Sequence, residues 1–437
     1  MKEFNHMAYK NLFLKNLGSL KKLLSGRAPG QVVIQYTDAC NAKCPQCGMN
    51  IHADFKRSRL NKDCIKRSID AAVQNGVKSV SFTGGEPLIY FDDVLELIQY
   101  AAEAGIDLIR TGTNGFLFMN SGSEAFEMRI AKIAEAFSKT KLRNFWISID
   151  SCVPEVHEQM RGLPGVIKGI EKALPIFHEY GIYPSANLGI NRNMGGKDTR
   201  AVKLHPQYPE IFYETYKQAF GNFLKLITGL GFTIVNMCYP MSLNDSSSDC
   251  GMEAVYAAAS TDSVVNFLPK EKEYIFKALS DIIPVYRSRI RTFMPRCSVR
   301  SLIRHYSGQN DYSYSCRGGI DFFFMDARNG DVFPCGYRGN DNLGKLWDID
   351  LQSINHKAYC RLCDWECFRD PSELLGPAID LAVRPVSILR RFLSDKEYAG
   401  TWLSDIRYYM ACDFFDGRLP PDYKKLSRWN KETAIPF

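Results

Sequence analysis

From residue 31 to about residue 240, short runs of β-branched and apolar residues alternate with longer stretches whose apolar positions recur every three to four residues. The short runs have the character of strands and the longer stretches that of amphipathic helices, so their alternation predicts βα units building a parallel sheet. Strands are expected at Gln31 to Thr37, Lys78 to Phe82, Asp107 to Gly112, Asn144 to Ile149, Ile182 to Gly189 and Phe232 to Met237. Helices are expected near Asp63 to Gln74, Asp93 to Ala104, Ser123 to Ser138, Gly165 to Tyr180 and Glu210 to Leu230. Six units of this kind make a partial barrel or an open doubly wound sheet. A full eight-stranded barrel is disfavoured because the alternation ends near residue 240.

The pattern then changes. Residues 241–262 are rich in Ser, Asp and Ala and read as a linker, followed by a helical stretch from Lys270 to Arg289. Asp321 to Asp326 and Asp331 to Cys335 are strand-like runs around Asn329-Gly330, the strongest short hairpin signal. After Pro371 the chain is helical in pieces, Pro377 to Val383 and Val386 to Phe392 among them. The expected division is a basic N-terminal helix (1–30), a core (31–240), a linker and helix (241–310), a cysteine-rich module (311–370) and a helical tail (371–437).

Composition narrows the class. With 45% hydrophobic and 24% charged residues over 437 positions, the chain is globular, and disordered or fibrous classes are excluded. The net charge of +7 is concentrated at one end, where Lys2, Lys10, Lys15, Lys21, Lys22 and Arg27 face only Glu3. The nearly neutral remainder argues against nucleic acid as a partner. Tyr9 to Ser25 places Phe13, Leu17, Leu20 and Leu24 on one helical face, which suits packing under the barrel or peripheral membrane contact. No secretory or membrane-spanning run is evident, so a cytoplasmic protein with reduced thiols is expected. Its 14 cysteines then point to metal or catalysis.

Cys40-Asn-Ala-Lys-Cys44-Pro-Gln-Cys47 follows the first expected strand directly. Three thiolates on one loop suit an iron–sulfur cluster with one iron left without a protein ligand; zinc, which wants a fourth ligand, and buried structural cysteines are the alternatives. Ligands in α/β folds sit beyond the carboxyl ends of the strands, and the other strand ends can be inspected at that edge. The second ends in Thr83-Gly84-Gly85-Glu86-Pro87, the third in Thr111-Gly112-Thr113-Asn114-Gly115, and the fourth in Ser148-Ile149-Asp150-Ser151. These are a backbone-exposing turn and a set of polar groups able to hold a ribose.

Together these motifs resemble the radical S-adenosylmethionine (radical SAM) superfamily over roughly residues 30–240. The resemblance implies an α/β fold, a partial (βα)6 radical SAM barrel, in which Cys40, Cys44 and Cys47 hold a 4Fe-4S cluster whose open iron chelates S-adenosylmethionine. Gly84, Gly85, Glu86 and Pro87 match the segment contacting the methionine amino group. Ser148 and Asp150 match the ribose region, and Thr113 and Asn114 join the cofactor-binding set. The residue before the third cysteine is usually aromatic in the family and stacks near adenine; here it is Gln46, with Tyr36 and Phe116 as candidate substitutes. The implied chemistry is one-electron cleavage of the sulfonium to a 5'-deoxyadenosyl radical, which takes hydrogen from a C–H bond of an unidentified peptide, lipid or small molecule. An electron donor such as a flavodoxin or ferredoxin is implied as partner.

Cys316, Cys335, Cys360, Cys363 and Cys367 form a second cluster of thiols. The module resembles the twitch and SPASM auxiliary-cluster domains of that superfamily. That implies one auxiliary 4Fe-4S cluster held by Cys316, Cys335 and two of the remaining three, with structural zinc or a second cluster as alternatives. A non-catalytic iron–sulfur or zinc protein is the rival to an enzyme.

Overall fold

The computed structural model describes residues 22–51, 56–241, 252–255, 263–309, 314–351, 353–354 and 358–430. Most of the basic N-terminal stretch and most of the 241–262 linker lie outside the described residues.

All six expected strands form and pair in parallel: β1 (Gly30–Thr37), β2 (Val77–Gly84), β3 (Leu108–Thr113), β4 (Leu142–Ser148), β5 (Ser185–Gly189) and β6 (Ile234–Cys238). The strands read as apolar runs because both faces are covered: Val32, Ile34, Val80, Phe82, Ile109 and Ile147 are at most 1% exposed. The helices expected between them appear within a few residues of their predicted bounds, as Lys62–Gln74, Phe91–Ala104, Phe126–Ser138, Val166–Glu179 and Pro209–Leu230. Each buries one stripe; in Phe91–Ala104 it is Val94, Leu97, Ile98 and Ala101.

The sheet extends past the six strands at both edges. β7 (Arg291–Thr292) adds beside β6. The hairpin of β8 (Phe322–Met325) and β9 (Val332–Phe333) joins the opposite edge, with β8 parallel to β1 from Gln31↔Phe322 to Ile34↔Met325. The order is β7-β6-β5-β4-β3-β2-β1-β8-β9. β1 and β8 are buried along their whole length, so neither is left as an apolar edge in water.

The C-terminal helices differ from expectation in length. One runs unbroken from Glu366 to Val383, across Pro371 and Pro377, and another, Lys396–Ala411, was not anticipated. The latter is fastened by Asp405, whose Oδ1 accepts from Arg287 Nη2 at 2.5 Å and Oδ2 from the Cys297 amide at 2.8 Å, all three residues being fully buried.

Candidate functional site

Parallel pairing brings the carboxyl ends of β1 to β6 to one edge, and the motif-bearing loops meet there. Cys40, Cys44, Cys47, Gly85, Asn114, Ser148 and Asp150 line one cavity of about 410 Å³. Asn187, Cys238 and Tyr239 continue its wall from β5 and β6, while Tyr337, Trp365 and Glu366 close it from the C-terminal module. Gly84, Glu86, Pro87 and Thr113 do not line it; they support the groups that do. Tyr36 and Phe116 do not line it either. Tyr36 is fully buried and donates its hydroxyl to Asp93 Oδ2 at 2.6 Å.

The paired glycines have a reason in backbone packing. A Cβ on Gly84 would lie 2.1 Å from the Thr37 carbonyl oxygen, and one on Gly85 2.2 Å from that of Ala39. Their absence lets the turn after β2 press against the residues leading into Cys40, where the Gly85 and Glu86 amides donate to Thr37 O and Ala39 O at 2.7 and 2.8 Å. Glu86 is spent internally, Oε1 accepting from the Leu88 amide and Oε2 from the Asn114 amide. Burial pushes its carboxyl up to about 7 against those amide bonds.

Further ties fix the cysteine loop. Asn114 Nδ2 donates to Asn41 Oδ1 at 2.8 Å and approaches Cys40 Sγ at 3.6 Å, and the Lys43 amide donates to Arg161 O. Gln46 Nε2 donates to Asp150 Oδ2 at 2.9 Å, the oxygen that also receives Arg161 Nε at 2.8 Å. Burial opposes ionisation of Asp150, yet the Arg161 charge and the hydrogen bonds from Arg161 and Gln46 outweigh it and hold the carboxyl below its usual range. Burial likewise pushes the Cys44 thiol up to about 12, with Arg161 as the largest opposing influence.

The cysteines carry a recurring local geometry. The amide two residues on donates to sulfur at Cys40 (Ala42, 3.5 Å), Cys316 (Gly318, 3.4 Å) and Cys335 (Tyr337, 3.4 Å), and the Trp365 amide does so at Cys363. Such N–H···S bonds stabilise thiolates and tune the potential of clusters they hold. Cys316 and Cys360 pair through the backbone as an isolated antiparallel contact, the Cys316 amide donating to Cys360 O at 2.8 Å. Cys335 has Cys316 and Cys360 as thiol neighbours, and Cys363 has Cys335 and Cys316.

Cys367 stands apart: its Sγ donates to Glu366 Oε1 at 3.5 Å, and Arg110 and Asp370 are its other charged neighbours. Arg110 and Glu366 were missed by sequence reasoning. Arg110 sits on an ordinary strand, and Glu366 has no motif around it. Among the described residues no three His, Cys, Asp or Glu side chains close around a single metal-ion position. A four-iron cluster is a larger body, and grouped cysteines outside any disulfide, several with an amide aimed at sulfur, fit its donor requirements.

The Radical SAM superfamily model matches residues 34–199, so this stretch of the chain is a radical SAM domain. The superfamily works with a 4Fe-4S cluster and S-adenosylmethionine. The AdoMet-dependent heme synthase of Methanosarcina barkeri is 22% identical over 357 residues, covering 80% of this chain and 87% of that enzyme. The heme synthase of Oleidesulfovibrio alaskensis is 24% identical, covering 78% and 77%. The GTP 3',8-cyclase of Vibrio parahaemolyticus is 30% identical over a shorter span, 33% of this chain and 42% of the cyclase. Among solved structures, anSMEcpe with bound AdoMet and Cp18Cys peptide superposes with a TM-score of 0.47 at 16% identity, covering 75% of this chain and 81% of that one.

Proposed function

We propose that the chain is an enzyme that reductively cleaves S-adenosylmethionine and abstracts hydrogen from a C–H bond of a peptide, lipid or small-molecule substrate. Cys40, Cys44 and Cys47 would hold the 4Fe-4S cluster. Cys316, Cys335, Cys360 and Cys363 would hold an auxiliary one. The observation that carries this is the convergence of the three cysteines, Gly85, Asn114, Ser148 and Asp150 on one cavity that the C-terminal module closes.

When bound, the cluster and S-adenosylmethionine supply the electron transfer and the radical. The chain's own groups position and protect. Gly85, its amide held by Thr37 O, brings bare backbone to the cavity wall, and Asn114 and Ser148 offer side-chain hydrogen bonds at the same wall. Asp150 keeps its negative charge beside Gln46 and Arg161 and sets the electrostatics of the rim. Trp365 and Tyr337 cover the cavity and limit water, while Arg110, half-buried, is a charged neighbour of Cys367, Glu366 and Cys238.

The test is anaerobic reconstitution followed by addition of a strong reductant and S-adenosylmethionine. Formation of 5'-deoxyadenosine that Cys44→Ala abolishes is the expected result. Zinc without iron or acid-labile sulfide in anaerobically purified protein would instead establish a non-catalytic metal protein.

A further inference from the structure

The helix Pro385–Ser394 buries Ile388, 1% exposed, and turns Val386, Leu389 and Leu393 outward at helical spacing, 60%, 55% and 72% exposed. At 100° per residue these three positions lie on one stripe, with Arg390 on its flank. Leu381 and Val383 at the end of the preceding helix, 41% and 38% exposed, extend the apolar surface. A Cβ on Gly26 would lie 3.9 Å from Val383 Cγ1, so the chain emerging from the N-terminus arrives beside this patch, where Leu24 is 59% exposed.

Charge around the patch is one-sided. Asp380 is taken by Tyr314 and Arg384, Asp395 caps the next helix and pairs with Arg300 and Arg304, and Glu397 pairs with Arg300. Arg390 and Lys396 stay exposed outside these pairs, and Arg384, also exposed, is the partner of Asp380.

We infer that this face docks on an anionic lipid bilayer. Its leucines and valines enter the headgroup boundary, and the flanking arginines and lysine face lipid phosphates. A second copy of the chain fits less well, because a symmetric contact would oppose the same cations. Among the described residues no helix is long and apolar enough to cross a membrane, so the contact is peripheral.

The test is co-sedimentation of the full-length, cluster-loaded protein with vesicles of phosphatidylcholine alone or mixed with phosphatidylglycerol. Binding to the anionic vesicles that added salt weakens is expected. The double substitution Leu389→Ser/Leu393→Ser should weaken it by about tenfold or more, and Arg390→Glu should weaken it on anionic vesicles alone. These positions are exposed, and an unchanged thermal melt verifies that the variants fold. Absence of binding to anionic vesicles, or equal binding by the double variant, overturns the inference. So does a concentration-dependent dimer, seen by analytical ultracentrifugation, that the double variant abolishes, since the occupant would then be a second copy.

Discussion

Arg161 and Asp150 form a buried ion pair, Nε to Oδ2 at 2.8 Å, that joins the end of β4 to the helix Pro154–Arg161 at the rim of the cavity. The same arginine accepts the Lys43 amide on its carbonyl, so one residue ties the cysteine loop to the carboxylate. Removing one partner of a buried pair leaves an uncompensated charge, at a cost of about 3–5 kcal/mol. Arg161→Met is therefore expected to lower stability by that order, and Asp150→Asn, which keeps an acceptor for Gln46, by less. Urea unfolding of the two variants measures the ranking. Equal and small losses would mean that solvent screens the pair.

His157 is fully buried, and its Nδ1 accepts the Asp150 amide at 3.0 Å, which requires the neutral ring. Burial, reinforced by Arg161, pushes its pKa down to about 3. The unfolded chain takes up a proton near pH 6.5 while the folded chain refuses it, so this contribution is intact above pH 6.5 and is lost as pH falls toward 3. The slope can reach about 1.4 kcal/mol per pH unit. Unfolding midpoints measured from pH 7.5 to 5 should fall more steeply for the native chain than for His157→Gln. Parallel slopes would show that other groups dominate.

The sequence made the central sheet legible because buried parallel strands appear as apolar runs, and the hairpin was legible from Asn329-Gly330. What stayed hidden depends on contacts far apart in sequence. Nothing local in Phe322–Met325 says that it pairs with β1, nearly three hundred residues earlier. Asp150 stood out as a ribose contact, but its engagement by Gln46 and Arg161 could be seen only once three loops were placed together. The helix Glu366–Val383 was obscured by Pro371 and Pro377, which ordinarily signal breaks; burial of Phe368, Ser372, Glu373 and Ile379 overrides them.

Gly84 and Gly85 supply a sharper test of the cavity wall. A Cβ at either would collide with a backbone carbonyl, and neither Thr37 nor Ala39 can yield without moving the chain that leads into Cys40. Gly84 also has φ of +146°, strained for any other residue. Gly84→Ala and Gly85→Ala are each expected to cost about 2 kcal/mol and to cut 5'-deoxyadenosine formation at least tenfold. Gly122→Ala, with nothing within 4 Å of the added methyl, serves as the neutral control. Full activity in Gly85→Ala would separate the turn from the cofactor site.

The five C-terminal cysteines are expected to divide four to one. Cys316, Cys335 and Cys363 each accept an amide from two residues on, and Cys360 pairs with Cys316 through the backbone, whereas the Cys367 thiol donates a hydrogen bond to Glu366 beside Arg110. Cys363→Ala should lose about four irons and their sulfides per chain, the content of one cluster. Cys367→Ala should keep them. Cys44→Ala should lose a similar amount from the other site and, unlike Cys363→Ala, all S-adenosylmethionine cleavage. Iron and acid-labile sulfide analysis of anaerobically reconstituted protein, paired with 5'-deoxyadenosine formation, distinguishes the three. Loss of iron in Cys367→Ala with retention in Cys363→Ala would reverse the assignment and make Cys367 the fourth ligand.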